Sequence, residues 1–357
     1  MAEKVLVAMS GGVDSSVAAY LLQQQGYECI GVTMRLYENE TAGIPRGHTC
    51  CSLDDVEDAR AVAYDLGMPY YVLNFTEEFD EKVIRKFVQV YQNGGTPNPC
   101  IDCNRYLKFD HLLNRARELG CDYIATGHYV QRWQDENGRW GLRKNDDPGK
   151  DQSYVLYSLT QDQLAHTLFP LGGMHKDAVR AIAEEQGLCN ARKHDSQDIC
   201  FVPDGDYVSF LRQYGGVEPV PGDFLDSEGR VLGRHRGMEC YTIGQRKGLG
   251  VSANAPLYVL GKDPDRNAVI LGEDNRLYTR ELTAERVNWL SVPEPDRPLS
   301  VTAKTRYSQR EAAATVEPLP GGRIRMVFTE PQRAVTPGQA VVFYDGDLVL
   351  GGGTICP

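Results

Sequence analysis

The sequence predicts an α/β protein in three parts: a Rossmann-like parallel sheet over residues 1–205, a small β-rich central domain over 206–275, and a C-terminal antiparallel β-barrel over 276–357. Three observations predict it. Through the first half, short apolar runs alternate with amphipathic helical stretches, the rhythm of a parallel sheet covered by helices. Past about residue 205 the helical period fades and Gly, Pro and short β-rich runs replace it. From about 276 onward, short strand-like runs follow one another with turn signals between, as in a small barrel or sandwich.

Each element has a local reason. KVLVAM is a buried strand, followed by a glycine turn and the helix VAAYLLQQQ; CIGVTMRL is a second strand. DDVEDARAVAYDLG has an acidic first turn and a Gly stop, both helix signals, and feeds the strand PYYVLNF. FDEKVIRKFVQVYQNG is an amphipathic helix ended by Gly94 and Gly95, KFDHLLNRARELG is another, and CDYIATGHYV is the next strand. QRWQDENGRWGLRK reads as a hairpin on Asn137-Gly138, and Asp177 to Gly187 as a helix. GDFLDSEG, ECYTIGQRKGLG, PLYVLGKDP and NAVILG are the β-rich runs of the centre; RVNWLSV, LSVTAKTRY, GRIRMVF and QAVVFYDGDLVLGGGTI are strands of the barrel.

Composition narrows the class. The chain has 357 residues, 41% hydrophobic and 24% charged, enough for several packed domains. It has no apolar run long enough to span a membrane, and MAEKVLVAMS lacks a signal-peptide pattern, so a cytoplasmic protein without a membrane partner is expected. The net charge of −11 by itself argues against nucleic acid, yet basic residues cluster at Arg143, Lys144 and Lys150 and again from Arg230 to Lys247, and local stripes suffice to bind phosphate. Ten cysteines are too sparse for a disulfide scaffold. Cys100 and Cys103 stand apart because TPNPCIDCNRYLKF gives them a C-x-x-C spacing, compatible with a metal clip, a disulfide, electron transfer or sulfur carriage.

Between the first strand and first helix lies SGGVDSS, Ser10 to Ser16. Glycines let the backbone approach a ligand, and the helix N-terminus presents unpaired N–H groups that favour phosphate. The stretch lacks both the Gly-Lys-Ser/Thr ending of a Walker loop and the spaced glycines of a dinucleotide fingerprint. It resembles the pyrophosphate loop of the N-type ATP pyrophosphatases, of adenine nucleotide alpha-hydrolase type. That resemblance implies that ATP, with Mg²⁺, is cleaved between its α- and β-phosphates. It places Ala8, Met9, Ser10, Gly11, Gly12, Val13, Asp14 and Ser15 around the phosphates, and Met34 and Gly127 beside the adenosine.

Further stretches narrow the family: CCSLDDVEDAR, TPNPCIDCNRYLKF, GKDQSYVLYSL, KHDSQDICFVPDGDY and YTIGQRKGLG. Together they resemble the tRNA-specific 2-thiouridylases (the MnmA family) from residue 5 to the C-terminus. The resemblance implies ATP-dependent 2-thiolation of the wobble uridine of tRNA, with sulfur delivered by a donor such as a cysteine desulfurase or a relay protein. It makes Cys103 the nucleophile and Cys200 the persulfide carrier, the two ending as a disulfide, and sets Asn98, Pro99 and Cys100 against the target base. His128, Lys150, Asp151, Gln152, Arg306, Tyr307 and Gln339 become contacts to tRNA. The chain departs from the family where Cys100 replaces a common Asp, which removes a candidate acid or base. Three cysteines, Cys100, Cys103 and Cys200, also raise an alternative, an iron–sulfur cluster supplying the sulfur.

Overall fold

The computed structural model describes residues 2–37, 53–195, 199–202 and 205–357. Cys50, Cys51 and Asp198, within two of the stretches quoted above, lie outside the described residues.

The parallel α/β unit forms as expected. Strand β1 (Lys4–Ala8) leads through the Ser10 loop into helix α1 (Val13–Gln24), then β2 (Glu28–Arg35), helix α2 (Leu53–Asp65) and β3 (Tyr70–Asn74). A helical run follows as α3 (Thr76–Phe79), a π-helical turn Asp80–Ile84, and α4 (Arg85–Gln92). A second run is α5 (Pro99–Asp102), a π-helical stretch Cys103–His111, and α6 (Leu112–Glu118). Strand β4 (Tyr123–Ala125) comes next, then the hairpin β5 (Gln131–Gln134) and β6 (Trp140–Arg143), helix α7 (Gln161–Ala165), β7 (Thr167–Leu168) and helix α8 (Lys176–Glu185). The sheet order is β3-β2-β1-β4-β7, all parallel. Chain order reverses between β1 and β4, so the carboxyl ends of these two strands open a crevice of the kind in which open α/β sheets bind ligands.

The centre differs from its expected texture in one element. Helix α9 (Tyr207–Gln213) forms where helical periods were expected to vanish, with Asp206 capping it at Ser209 N–H and Phe210 packed on Phe201 at 5.0 Å. Strands β8 (Gly222–Leu225), β9 (Val231–His235), β10 (Tyr258–Asp263) and β11 (Ala268–Gly272) make the small sheet. ECYTIGQRKGLG forms no strand: its glycines 244, 248 and 250 take positive φ, and the stretch runs as turns.

The barrel consists of β12 (Tyr278–Trp289), β13 (Leu299–Lys304), β14 (Ala312–Leu319), β15 (Arg323–Arg333), β16 (Ala340–Asp345) and β17 (Leu348–Ile355). Pairing of β12 with β17 closes it. The hairpin of the first domain then adds to the same sheet, Leu142 opposite Val349 and Arg143 opposite Leu348. Three glycines in β17 admit close neighbours; a methyl on Gly352 would sit 2.6 Å from the ring of Tyr157, a residue of the first domain.

One buried charge at the seam has a measurable consequence. Lys262 on β10 has its ammonium buried with no hydrogen-bond partner among the described residues, and Glu239 Oε2 nearby is likewise unsatisfied. Burial pushes the Lys262 ammonium down to about 8, against the pull of Glu239 and Cys240. In the unfolded chain the group titrates near 10.5, so between these values the unfolded state holds more protons and stability rises with pH. Lys262→Met, of similar length and no charge, should raise Tm by about 2 °C or more at pH 7 and flatten the pH dependence above 8, read by calorimetry across pH 7–10.5.

Candidate active site

The loop after β1 is held from several sides. Gly11 has φ 75°, and a side chain there would strike the Asp55 carbonyl of α2 at 2.3 Å, so the close approach needs glycine. Ser10 N–H donates to Ser15 Oγ at 3.1 Å, while the Ser15 and Ser16 hydroxyls donate to Gly12 C=O at 3.0 and 3.2 Å. Asn190, buried, donates from one amide nitrogen to Gly11 C=O and Ser16 Oγ at 3.0 and 2.9 Å. No side chain caps the N-terminus of α1, where Gly12 is the cap residue. Its first N–H groups are therefore left without a side-chain partner, as a helix start that receives an anion must be.

The expected nucleotide residues fall around this loop. Met9 is 2% exposed with its side chain against Gly31, so it offers its backbone rather than its thioether. Ala8 and Met34 end adjacent strands; Thr33, beside Met34, donates to Met9 C=O at 2.6 Å. Gly127 follows β4, and a methyl on it would lie 2.8 Å from Asp14 carbonyl carbon and Ser15 nitrogen. Across the switch point, β4 therefore touches the first turn of α1 directly.

Behind the loop sits an ionic network. Asp14 Oδ1 accepts from Lys176 Nζ at 2.7 Å and from Tyr129 OH at 2.6 Å. Lys176, its side chain 8% exposed, also meets Asp195 Oδ1 at 2.7 Å. Lys150 binds Asp195 Oδ2 at 2.7 Å and Arg180 binds Oδ1 at 3.1 Å. Burial of Asp195 opposes its ionisation, but Lys150 and Lys176 outweigh it and pull the carboxyl down to about 2. Burial, then the Asp14 carboxylate that Tyr129 serves, push that phenol well above its ordinary value, so it remains a donor. Three cations thus meet two carboxylates at the edge of an anion-binding loop.

The cysteine strip lies at the seam with the barrel. Asn98 is the cap residue of α5 and Pro99 occupies the first helical position, where its missing N–H costs nothing. Cys100 is exposed on the first turn, while Cys103, one turn on, is buried where the π-helical stretch begins. Asp102 between them accepts from Lys86 Nζ at 2.5 Å, and Asn104 donates to Val155 C=O at 3.1 Å. Cys103 belongs to a large apolar cluster that runs from the first domain into the barrel, and Cys200 packs against that same cluster. The backbone at Cys200 is fixed: Tyr37 OH donates to its carbonyl at 2.8 Å, and Phe201 inserts between Phe79 and Phe87.

The alternative of a three-cysteine cluster is not favoured. Among the described residues no group of three or more His, Cys, Asp or Glu side chains is arranged to hold a metal ion, and Cys100 points to the surface where Cys103 points inward.

Residues expected to touch tRNA have internal tasks too. His128 is buried; Thr126 Oγ1 lies 2.8 Å from its Nδ1 and the rings of Phe109 and Phe169 flank it. Burial, helped by Lys108, holds it well below its ordinary pKa and so neutral. Asp151 accepts from Asn145 N–H and from Ser153, and Gln152 accepts from Tyr129 N–H at 2.9 Å. Arg306 donates to Ala334 C=O and Thr336 Oγ1, Gln339 to Thr96 C=O and Pro97 C=O, and Tyr307 OH to Asp151 C=O. Tyr307 nevertheless remains 46% exposed. Its phenol is pushed up by burial, then by Asp151 and Cys100.

Comparison with known proteins agrees along the whole chain. Three family models match: a tRNA methyl transferase HUP domain over residues 3–204, a tRNA methyl transferase PRC-barrel domain over 208–273, and an aminomethyltransferase beta-barrel domain over 279–355. Full-length relatives include the tRNA-specific 2-thiouridylase MnmA of Acetivibrio thermocellus, 52% identical over 99% of both chains, and that of Moorella thermoacetica, 56% identical over 98% of both. The MnmA of Clostridioides difficile is 51% identical over 99% of this chain and 98% of its own. The chain belongs to the MnmA family.

For this MnmA-family chain, reading the sequence missed Lys176, Tyr129 and Asn190. A signal existed for Lys176: a lysine at the first residue of α8 opposes the helix dipole, and such a placement calls for a carboxylate partner. For Tyr129 and Asn190 no local signal existed.

Proposed function

We propose that this chain is an ATP-dependent tRNA sulfurtransferase that replaces the 2-oxygen of the wobble uridine with sulfur. The observation that carries the reading is that one α/β domain holds both the uncapped phosphate loop at α1 and the two cysteines Cys103 and Cys200, which pack on a common apolar cluster. Family membership over all three domains supports it. Methyl transfer, which two of the model descriptions name, would leave both the phosphate loop and the cysteines without a task.

ATP enters as its Mg²⁺ complex, its β- and γ-phosphates on the Ser10–Ser15 loop with Lys176 and Lys150 nearby. Flipped out of its loop, the uridine meets the Asn98–Cys100 strip. Its O2 attacks the α-phosphorus, forming the O–P bond and expelling pyrophosphate. A donor protein such as a cysteine desulfurase or relay loads Cys200 as a persulfide. Cys103 thiolate attacks the Cys200 sulfur; the Cys103–Cys200 disulfide forms and hydrosulfide leaves. Hydrosulfide adds to C2, AMP departs with the former oxygen, and an external thiol returns two electrons to the disulfide. Cys100 stands where relatives commonly carry a carboxylate and is exposed on the first turn of α5. A tRNA substrate sets the work in the cytoplasm; no described helix is long and apolar enough to cross a membrane.

The test is incubation with ATP, Mg²⁺, tRNA and a persulfide donor, followed by assay of pyrophosphate and of 2-thiouridine in digested tRNA. Both should appear together. Pyrophosphate without thiolated uridine would make this an ATP pyrophosphatase of another substrate, and neither product would remove the enzymatic reading.

A further inference from the structure

The strip that carries Cys100 and leads to Cys103 is not held by its own domain alone. Gln339, in the turn between β15 and β16 of the barrel, donates from Nε2 to Thr96 C=O at 2.9 Å and Pro97 C=O at 3.2 Å. Thr96 N–H returns a bond to Pro337 C=O at 3.2 Å. Gly338 packs so close that a methyl there would lie 3.3 Å from Thr96 oxygen. The turn itself is anchored: Gly338 N–H donates to Ile355 C=O at 3.0 Å, and Ile355 N–H donates to Gln339 C=O at 2.8 Å. Arg306 holds the near side through Ala334 C=O and the buried Thr336 hydroxyl.

From this we infer that Gln339 is a positioning residue for sulfur transfer. Its side-chain amide nitrogen donates to the two carbonyls that precede Asn98, so the barrel sets where α5 begins and which way Cys100 and Cys103 face. Prolines at 97 and 99 stiffen the strip, so a displacement at Thr96 passes to the cap residue with little loss.

The inference rests on the thiolation reading, and the wild-type protein run alongside separates the two. Gln339→Glu keeps the size but removes both donors and aims a carboxylate at two carbonyls; Gln339→Met removes the donors without a charge and serves if the first variant folds poorly. Two quantities are measured: the single-turnover rate of 2-thiouridine formation at saturating tRNA, and the Kd for tRNA by filter binding. Expected is a fall in rate of about 10²-fold from misplacement of the reacting groups, with Kd unchanged. A Kd that weakens while the saturated rate holds, or a rate that holds outright, overturns the inference. A wild-type protein that forms no thiolated uridine fails the reading instead.

Discussion

Cys103→Ser brings thiolation from a persulfide donor down to background, while pyrophosphate release with tRNA continues. The serine hydroxyl keeps the shape of a buried side chain in the strip, so the fold and the phosphate loop are left intact. What it lacks is a thiolate able to attack the Cys200 persulfide, and without that attack the sulfur stays on the carrier. Cys200→Ser gives the same loss from the other side, since no persulfide is loaded. Excess free hydrosulfide should restore part of the product in both variants, because an adenylated uridine reacts with hydrosulfide without either cysteine. Mass spectrometry of the tRNA digest reads all three results. Full activity of Cys103→Ser with the persulfide donor would show that the sulfur moves by another route.

Lys176→Met should act at the other half of the reaction. The ammonium is buried and bridges Asp14 of the phosphate loop to Asp195. Removing it leaves two carboxylates facing each other beside the place where the ATP phosphates bind. Lys150 and Arg180 still hold Asp195, but among the described residues Asp14 keeps just the Tyr129 hydroxyl. Breaking such a pair from one side destabilises by about 3 kcal/mol, and the repulsion falls on the triphosphate as well. Pyrophosphate formation should drop by about 10²-fold or more, chiefly through weaker ATP binding. Lys176→Arg keeps the charge but not the compact ammonium that fits between two carboxylates, and should give an intermediate value. Unchanged ATP-dependent pyrophosphate release by Lys176→Met would remove the network from the reaction.

The phosphate loop was legible because its chemistry is local: Gly11 must be glycine for its φ and its neighbour, and the serines that close the turn lie within five residues of one another. The strands of the first domain were legible for a similar reason, their apolar runs being continuous. Lys176 finds Asp14 across 162 residues, and no window of sequence contains that pairing. Helix α9 escaped notice because it is seven residues long and owes its stability to the ring of Phe210 in an aromatic cluster rather than to a periodic face. The run ECYTIGQRKGLG looked like strand by its composition, but its glycines serve turns that seat against the barrel, Gly244 close to Ala334. For Arg306 and Gln339, the residue types fit an RNA surface and an internal strut equally well, and only the fold reveals their internal bonds.

The hairpin of the first domain is hydrogen-bonded into the barrel wall, and Tyr157 rests on Gly352 of that wall. A shared sheet of this kind resists the hinge motion by which two-domain enzymes usually close on a substrate. Two units that share a ladder and a packed ring keep or lose them together, so the barrel is expected to open with the first domain rather than ahead of it.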